Sequence, residues 1–462
     1  MNTFPKETYI ERRNRLKQKM GSGILLFLGN EESSSNFKDN WYPFRQDSSF
    51  LYFFGLDMPG LAAIIDIDQG QEIIFGDNLT TVEVIWQGAH PPLSELAESV
   101  GIKTTHPKNE LPKFLEKAGN QQIHFLPPYR PENSQKLAEW LHLSIQEIPS
   151  RVSVPLIKAV VALRSIKSEE EIREINKAVN ISVSMHKKAM HEAKPGMKEY
   201  QLLGLVIGEA LAQGGHLSFA PIITINGQIL HNHNYSNTLT PGKMVLGDFG
   251  AESAMRYAGD ITRTFPVGPE FSPVQKEIYQ IVFHAYQTAV AALKPGIRFK
   301  DVHLLACKKL AEGLKDLGLM KGNLDDAVSQ GAHALFFQCG LGHMMGLDVH
   351  DMEDLGEEYV GYTEELKKSK EFGLRSLRLG KELEAGYVIT IEPGIYFIPQ
   401  LIDQWQAENL HSEFINYDKL AEYRNFGGIR VEDGYLITES GSKILGDPLE
   451  IEISDVERIR GK

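Results

Sequence analysis

The sequence predicts an α+β protein in two parts, a small α/β domain over residues 1–155 and a larger domain over residues 156–462 built from two pseudo-symmetric halves. Three observations carry that expectation. Short apolar runs alternate with charged, helix-like stretches up to about residue 155. A capping box at Ser168 and Glu171 then opens a long amphipathic helix. Beyond it, the order helix, Lys-Pro-Gly turn, helix, strand-rich segment occurs twice.

In the first part, the runs Gly23 to Leu28, Leu61 to Ile65, Glu72 to Phe75 and Ile123 to Leu126 have strand length, and Glu11 to Met20 reads as a helix between turns. The boundary falls near Val154. In the second part, Ile172, Ile175, Val179 and Val183 follow helical spacing, and Lys194-Pro195-Gly196 stops that helix. AKPGM at 193–197 and LKPGI at 293–297 each close one helix and precede another, Glu199 to Leu211 and Lys300 to Leu314. Two such halves would face a shared cleft.

Composition excludes several classes of function. A net charge of −13 repels phosphate backbones, and no Lys/Arg cluster offsets it, so nucleic acid is not an expected partner. No apolar run approaches the ~18 residues of a membrane span, and the start MNTFPKETYIERRNRL shows no secretory signal. With only Cys307 and Cys339, no disulfide framework is expected, and a cytoplasmic, reducing location fits. The two thiols lie far apart without a CxxC pair and read as buried small hydrophobes rather than metal ligands.

Four acids interrupt runs that otherwise read as buried strands: Asp248 in MVLGDFGA, Asp260 in YAGDITRTF, Glu392 in YVITIEPGIYF and Glu432 in GGIRVEDGY. One buried carboxylate is explained by a salt bridge, because an ionised group there must be paired, hydrogen-bonded or metal-bound. Four, together with a histidine in QCGLGHMMGLDVHD, suggest a metal site. Four negative charges balance two divalent cations, with neutral His343 completing the shell. Oxygen-rich ligation with one imidazole suits Mn²⁺, with Co²⁺ or Zn²⁺ as alternatives. A pair of such ions serves amide hydrolysis.

The ordered set Asp248, Asp260, His343, Glu392 in TIEPGIYF and Glu432 in GIRVEDG resembles the pita-bread metallopeptidases. GDITRTFPVG at 259–268 and GLGHMMGLDVHD at 340–351 are most similar to the proline-specific branch, aminopeptidase P and prolidase, and YPFRQDSSFLYFFG at 42–55 resembles that branch's N-terminal domain. The resemblance implies a creatinase/aminopeptidase P-like N-terminal domain before a pita-bread catalytic domain. It further implies two ions bridged by Asp260 and Glu432, with Asp248 completing one site and His343 and Glu392 the other. Glu392 would also handle the proton of the attacking nucleophile. His350 and His231 match histidines that contact substrate or stabilise the intermediate, although His233 stands beside His231. Arg430, two residues before Glu432, would pair with a carboxylate of the site or of the substrate, or form a structural ion pair.

The implied activity is Xaa-Pro aminopeptidase, acting on peptides with proline second, and the alternative is Xaa-Pro dipeptidase. The segment from Phe372 to Asp403 looks more like prolidases, and the N-terminal motif at least as much like aminopeptidase P. The resemblance also implies a homodimer or homotetramer. A non-catalytic pita-bread binding protein would have lost ligands that are all present here. Asp248 and Asp260 lie twelve residues apart where the family commonly has eleven, and a one-residue bulge between Phe249 and Tyr257 is expected to absorb the difference. GLGHMMG also reads as a loose dinucleotide fingerprint, but the polar LDVHDMEDLGEE after it is no helix for a pyrophosphate.

Overall fold

The computed structural model describes residues 2–461. The chain divides into two compact units: the first runs to Arg164 and takes in Met352–Tyr359, and the second holds Ser165–Asp351 and continues from Val360. Helix Val154–Arg164 therefore goes with the first unit.

In the first unit the four apolar runs become strands Ile24–Leu28, Ala62–Asp66, Gln71–Phe75 and Ile123–Phe125 of one mixed sheet. Ile24–Leu28 pairs antiparallel with Ala62–Asp66 and parallel with Ile123–Phe125, so it is flanked on both sides and apolar throughout. A fifth strand, Thr104–His106, lies at the edge. Helix Lys6–Met20 buries Tyr9, Arg12, Arg13 and Leu16. The Arg13 guanidinium is satisfied by Glu72 at 2.8 Å and by the carbonyls of Phe53 and Val100, both at 2.9 Å. The motif SSFLYFF forms helix Ser48–Phe54, capped by Asp47 and ended by Gly55 at φ 65°, and every residue of it is buried.

The second unit contains the repeat. Helix Glu169–Glu192 starts at the Ser168/Glu171 capping box and packs on helix Glu199–Ala212. In the second half, Pro273–Ala292 packs on Phe299–Asp316. The two Lys-Pro-Gly turns are tied alike. Gly196 N–H donates to the Leu239 carbonyl and Gly296 N–H to that of Leu383, each at 2.8 Å, followed by bridges Lys198–Thr238 and Arg298–Glu382. Each half then supplies an antiparallel sheet. The first orders Thr262–Pro266, Met244–Asp248, Ile222–Thr224, and the second Val388–Ile391, Asp433–Ile437, Ser442–Ile444. A bridge from Thr262 to Glu432 joins them.

The hairpin between Asp248 and Asp260 takes up its extra residue between Phe249 and Tyr257, as expected, but beside the turn rather than within the ladder. Pairing runs in constant register from Asp248–Thr262 through Ala251–Gly259 and Glu252–Ala258 to the Tyr257 carbonyl, which accepts from Ser253 N–H. Arg256 N–H donates to the Ser253 carbonyl at 2.9 Å and Arg256 takes a left-handed φ of 68°, the type I turn with a G1 bulge of a three-residue hairpin loop. An odd number of residues between paired strands is accommodated by an odd-length loop, leaving the ladder intact.

Candidate metal centre

Each acid lies where a sheet strand begins or ends. Asp248 closes strand Met244–Asp248, and Asp260 precedes strand Thr262–Pro266. Glu392 follows strand Val388–Ile391, its N–H donating to the Leu341 carbonyl at 2.7 Å. Glu432 sits between strands Gly428–Arg430 and Asp433–Ile437, with its N–H on the Thr262 carbonyl at 3.0 Å. Asp248 and Glu392 each stand six residues beyond a left-handed glycine, Gly242 and Gly386, so the two halves contribute equivalent positions.

His343 arrives on an extended segment. Thr390 N–H donates to its carbonyl at 3.0 Å, and its own N–H reaches Thr390 Oγ1 at 3.2 Å. A Cβ on Gly342 would stand 2.0 Å from the Thr390 carbonyl oxygen, so glycine is what permits this approach. The same feature disposes of the dinucleotide reading. The segment after Gly346 forms turns and the short 3₁₀ helix Glu353–Leu355, not a helix able to receive a pyrophosphate.

The carboxylates converge on the imidazole. His343 Nε2 is 3.4 Å from Asp260 Oδ2 and 3.7 Å from Glu392 Oε1. Its Nδ1 is 3.0 Å from the Met344 carbonyl, which only accepts, so the proton is on Nδ1 and the Nε2 lone pair faces the acids. Asp260, His343 and Glu432 place one ligand atom each within 4.8 Å of one another. Asp260 Oδ1 and Glu432 Oε1 are buried without a hydrogen-bond partner among the described residues. Burial, then mutual repulsion among the acids, pushes the carboxyls of Asp260, Glu392 and Glu432 upward. Burial also lowers the His343 pKa and keeps the ring neutral, although Glu392 opposes this. Orphaned carboxylate oxygens, acids that resist ionisation together and a neutral imidazole facing them form a donor set that fits divalent cations.

Arg430 is held from three sides. Nη2 is 2.5 Å from Asp248 Oδ2, Nη1 donates to the Tyr396 hydroxyl at 2.7 Å, and Nε reaches Thr262 Oγ1 at 3.2 Å. Thr262 in turn donates to Glu432 Oε2 at 2.7 Å. Of the expected partners of Arg430, the one it meets here is the carboxylate of Asp248. Two supporting residues were missed. Arg263 donates to the Glu432 carbonyl at 2.8 Å and pairs with Asp433 at 2.9 Å, bracing the strand that carries Glu432. His186 lies within 3.1 Å of the carbonyls of Phe249 and Ile261, bracing the hairpin between the two aspartates. A charged Arg263 inside GDITRTF was the same kind of signal as the acids.

The centre forms the floor of a cavity of about 600 Å³. His231, His233 and His350 all line it, as do Arg378, Gln338, Phe219 and Cys339. His350 packs edge-on to His343 at 4.4 Å. Asn232 turns inward to donate to Thr224 Oγ1, so both neighbouring histidines, 231 and 233, remain on the cavity side. Burial, with Arg430 nearby, lowers the His231 pKa. Arg378 was not singled out from the sequence, although it stands in the segment quoted as prolidase-like.

Residues 173–439 match metallopeptidase family M24, and residues 9–125 match the aminopeptidase P N-terminal domain. The chain belongs to metallopeptidase family M24, and peptide substrates and divalent metal ions come with that membership. It is 31% identical to the human Xaa-Pro dipeptidase over 448 residues, covering 94% of this chain and 88% of that one. With the Xaa-Pro aminopeptidase of Haemophilus influenzae it is 32% identical over 475 aligned positions, covering 99% and 98%. Among solved structures, proline aminopeptidase P II from Yersinia pestis superposes with a TM-score of 0.82 at 27% identity, covering 99% of this chain and all of that one. The fold is thus the expected one, an N-terminal domain of the aminopeptidase P kind before an M24 catalytic domain. Among the described residues, no helix is long and apolar enough to cross a membrane.

Proposed function

We propose that this chain is an Xaa-Pro aminopeptidase that also accepts Xaa-Pro dipeptides. The observation that carries the reading is the cluster itself: buried Asp248, Asp260 and Glu432 with partly buried Glu392, on strand ends of two equivalent halves, two of them with orphaned oxygens, around one neutral imidazole. We assign Asp248, Asp260, His343, Glu392 and Glu432 as ligands of two divalent ions, Mn²⁺ in preference to Co²⁺ or Zn²⁺, with Asp260 and Glu432 shared. When bound, such ions polarise the scissile carbonyl and lower the pKa of water.

The chain's own groups supply the rest. Glu392 takes up the proton of the attacking water and passes it to the leaving nitrogen of proline. His350, against His343, donates to the oxygen on which negative charge develops. His231 or His233 holds the substrate from the opposite wall. Arg430 pairs with Asp248 and orients its carboxylate. With its three nitrogens engaged by Asp248, Tyr396 and Thr262, it does not read a substrate carboxylate.

Relatives named aminopeptidase and dipeptidase are about equally similar, so their names do not choose between the two. Chain-length selection falls to the cavity wall, where Arg378 is the cation suited to a free proline carboxylate. The test is the specificity constant for Ala-Pro against Ala-Pro-Ala. Comparable values uphold the aminopeptidase reading. A tripeptide cut about a hundredfold less efficiently, a penalty of ~2.7 kcal/mol, makes the protein a prolidase. A cytoplasmic location and a homodimer or homotetramer complete the proposal. The exposed apolar residues Val82, Ile85 and Trp86 on helix Thr81–Gln87 support assembly, which sedimentation would measure.

A further inference from the structure

A second cluster of metal-ligating side chains lies outside the catalytic centre. His303 and Cys307 stand one turn apart on helix Phe299–Asp316, with Cys307 Sγ 3.4 Å from His303 Nε2. The 3₁₀ segment Ala332–Leu335 brings His333 against them, and the three ligand atoms lie within 4.8 Å of one another. All three residues are buried, with exposures of 0%, 0% and 3%.

Such burial normally requires that polar atoms be satisfied, and here they are not. Among the described residues, His303 Nδ1 and both ring nitrogens of His333 have no hydrogen-bond partner. We propose that Cys307, His303 and His333 form a closed, three-coordinate site for a monovalent thiophilic d¹⁰ cation, Cu⁺.

Charge selects the ion. The groups that act electrostatically on the three residues, apart from one another, are Lys300, His411 and Cys339, with no carboxylate among them. A thiolate and two neutral imidazoles cancel one positive charge, whereas a divalent ion would leave an uncompensated charge in an apolar interior that includes the Phe337 ring. Burial holds both imidazoles neutral, at about 3 for His303 and about 4 for His333, so both lone pairs are available. The Cys307 thiol is pushed up by the same burial, so binding displaces its proton to solvent as the sulfur–metal bond forms. Soft sulfur and nitrogen donors favour Cu⁺, while the oxygen-rich catalytic centre does not.

The test uses the full-length enzyme saturated with Mn²⁺ and titrated anaerobically with Cu⁺. Uptake is followed by native mass spectrometry and by thiolate-to-copper charge-transfer absorption. One equivalent should bind, and Cys307→Ser and His333→Gln should each weaken it by at least about tenfold, with peptidase activity reporting that each variant folds. Should Cys307→Ser fail to fold, His333→Gln alone decides. Cys339→Ser should leave uptake unchanged. Equal affinity in the folded variants, or a signal that follows Cys339, overturns the site. Zn²⁺ taken up in preference to Cu⁺ at the same three residues overturns the assignment of a monovalent ion.

Discussion

Arg430 illustrates how single residues set the charge of this centre. Its guanidinium is the cation bonded to Asp248 in a pocket of acids, and it is only 3% exposed. Arg430→Met should cost the metal-free protein about 3–5 kcal/mol by leaving Asp248 buried without its partner. Mn²⁺ should recover much of that loss, because bound ions supply the missing charge. Thermal unfolding with and without Mn²⁺ checks this, and an equal loss in both conditions would show that Arg430 acts only as packing. His350 lines the cavity, edge-on to His343. His350→Ala should therefore keep its metal while kcat falls by about two to four orders of magnitude. Loss of an ion in metal analysis would make His350 a ligand instead.

The acids were legible in the sequence for a physical reason: a carboxylate inside an apolar strand run violates burial unless something compensates it. Asp433, in the same VEDGY run, obeys the rule differently through its pair with Arg263. At the scale of elements, strong patterns were equally visible. The capping box and both Lys-Pro-Gly turns lie where local chemistry dictates, since nothing tertiary is needed to stop a helix at proline and glycine. Strand Thr104–His106 was not legible, because three polar residues on a sheet edge carry neither alternation nor an apolar run. The place of the bulge, at Arg256 beside the turn, was not legible, because sequence spacing counts residues without saying whether the extra one enters the ladder or the turn. The His303, Cys307 and His333 group was invisible for another reason, that its members meet only through tertiary packing of separate elements. A further expectation belongs here. Gly342→Ala places a methyl 2.0 Å from the Thr390 carbonyl and must push the His343 segment off its strand. Metal affinity should fall by about tenfold or more while the fold persists, as metal titration monitored by circular dichroism would show. Wild-type affinity would mean that His343 does not depend on this approach.

For the whole molecule, the buried acids make metal-free stability depend on pH. A carboxyl whose pKa is raised in the folded state makes that state the stronger proton binder. Stability is then greatest below the unfolded value of ~4 and is lost as pH rises through the folded values. Glu392 is pushed up to about 7 and Asp260 to about 8, chiefly by burial. The chelated protein should therefore lose Tm steadily between about pH 4 and 8, and Mn²⁺ should flatten the profile by taking the place of the protons. Differential scanning calorimetry across that range measures it, and a chelated profile as flat as the Mn²⁺-loaded one would contradict it. The account as a whole rests on the acids of the two halves acting as one metal-dependent centre. Its most direct test strips the enzyme with chelator, restores Mn²⁺ stepwise, and follows bound metal and hydrolysis of Ala-Pro-Ala together in the wild type and in Glu432→Gln. Activity should be absent when stripped, return in the wild type as two ions bind, and stay absent in the variant, which should hold fewer; hydrolysis by the fully stripped enzyme, or wild-type activity in Glu432→Gln, would contradict the account.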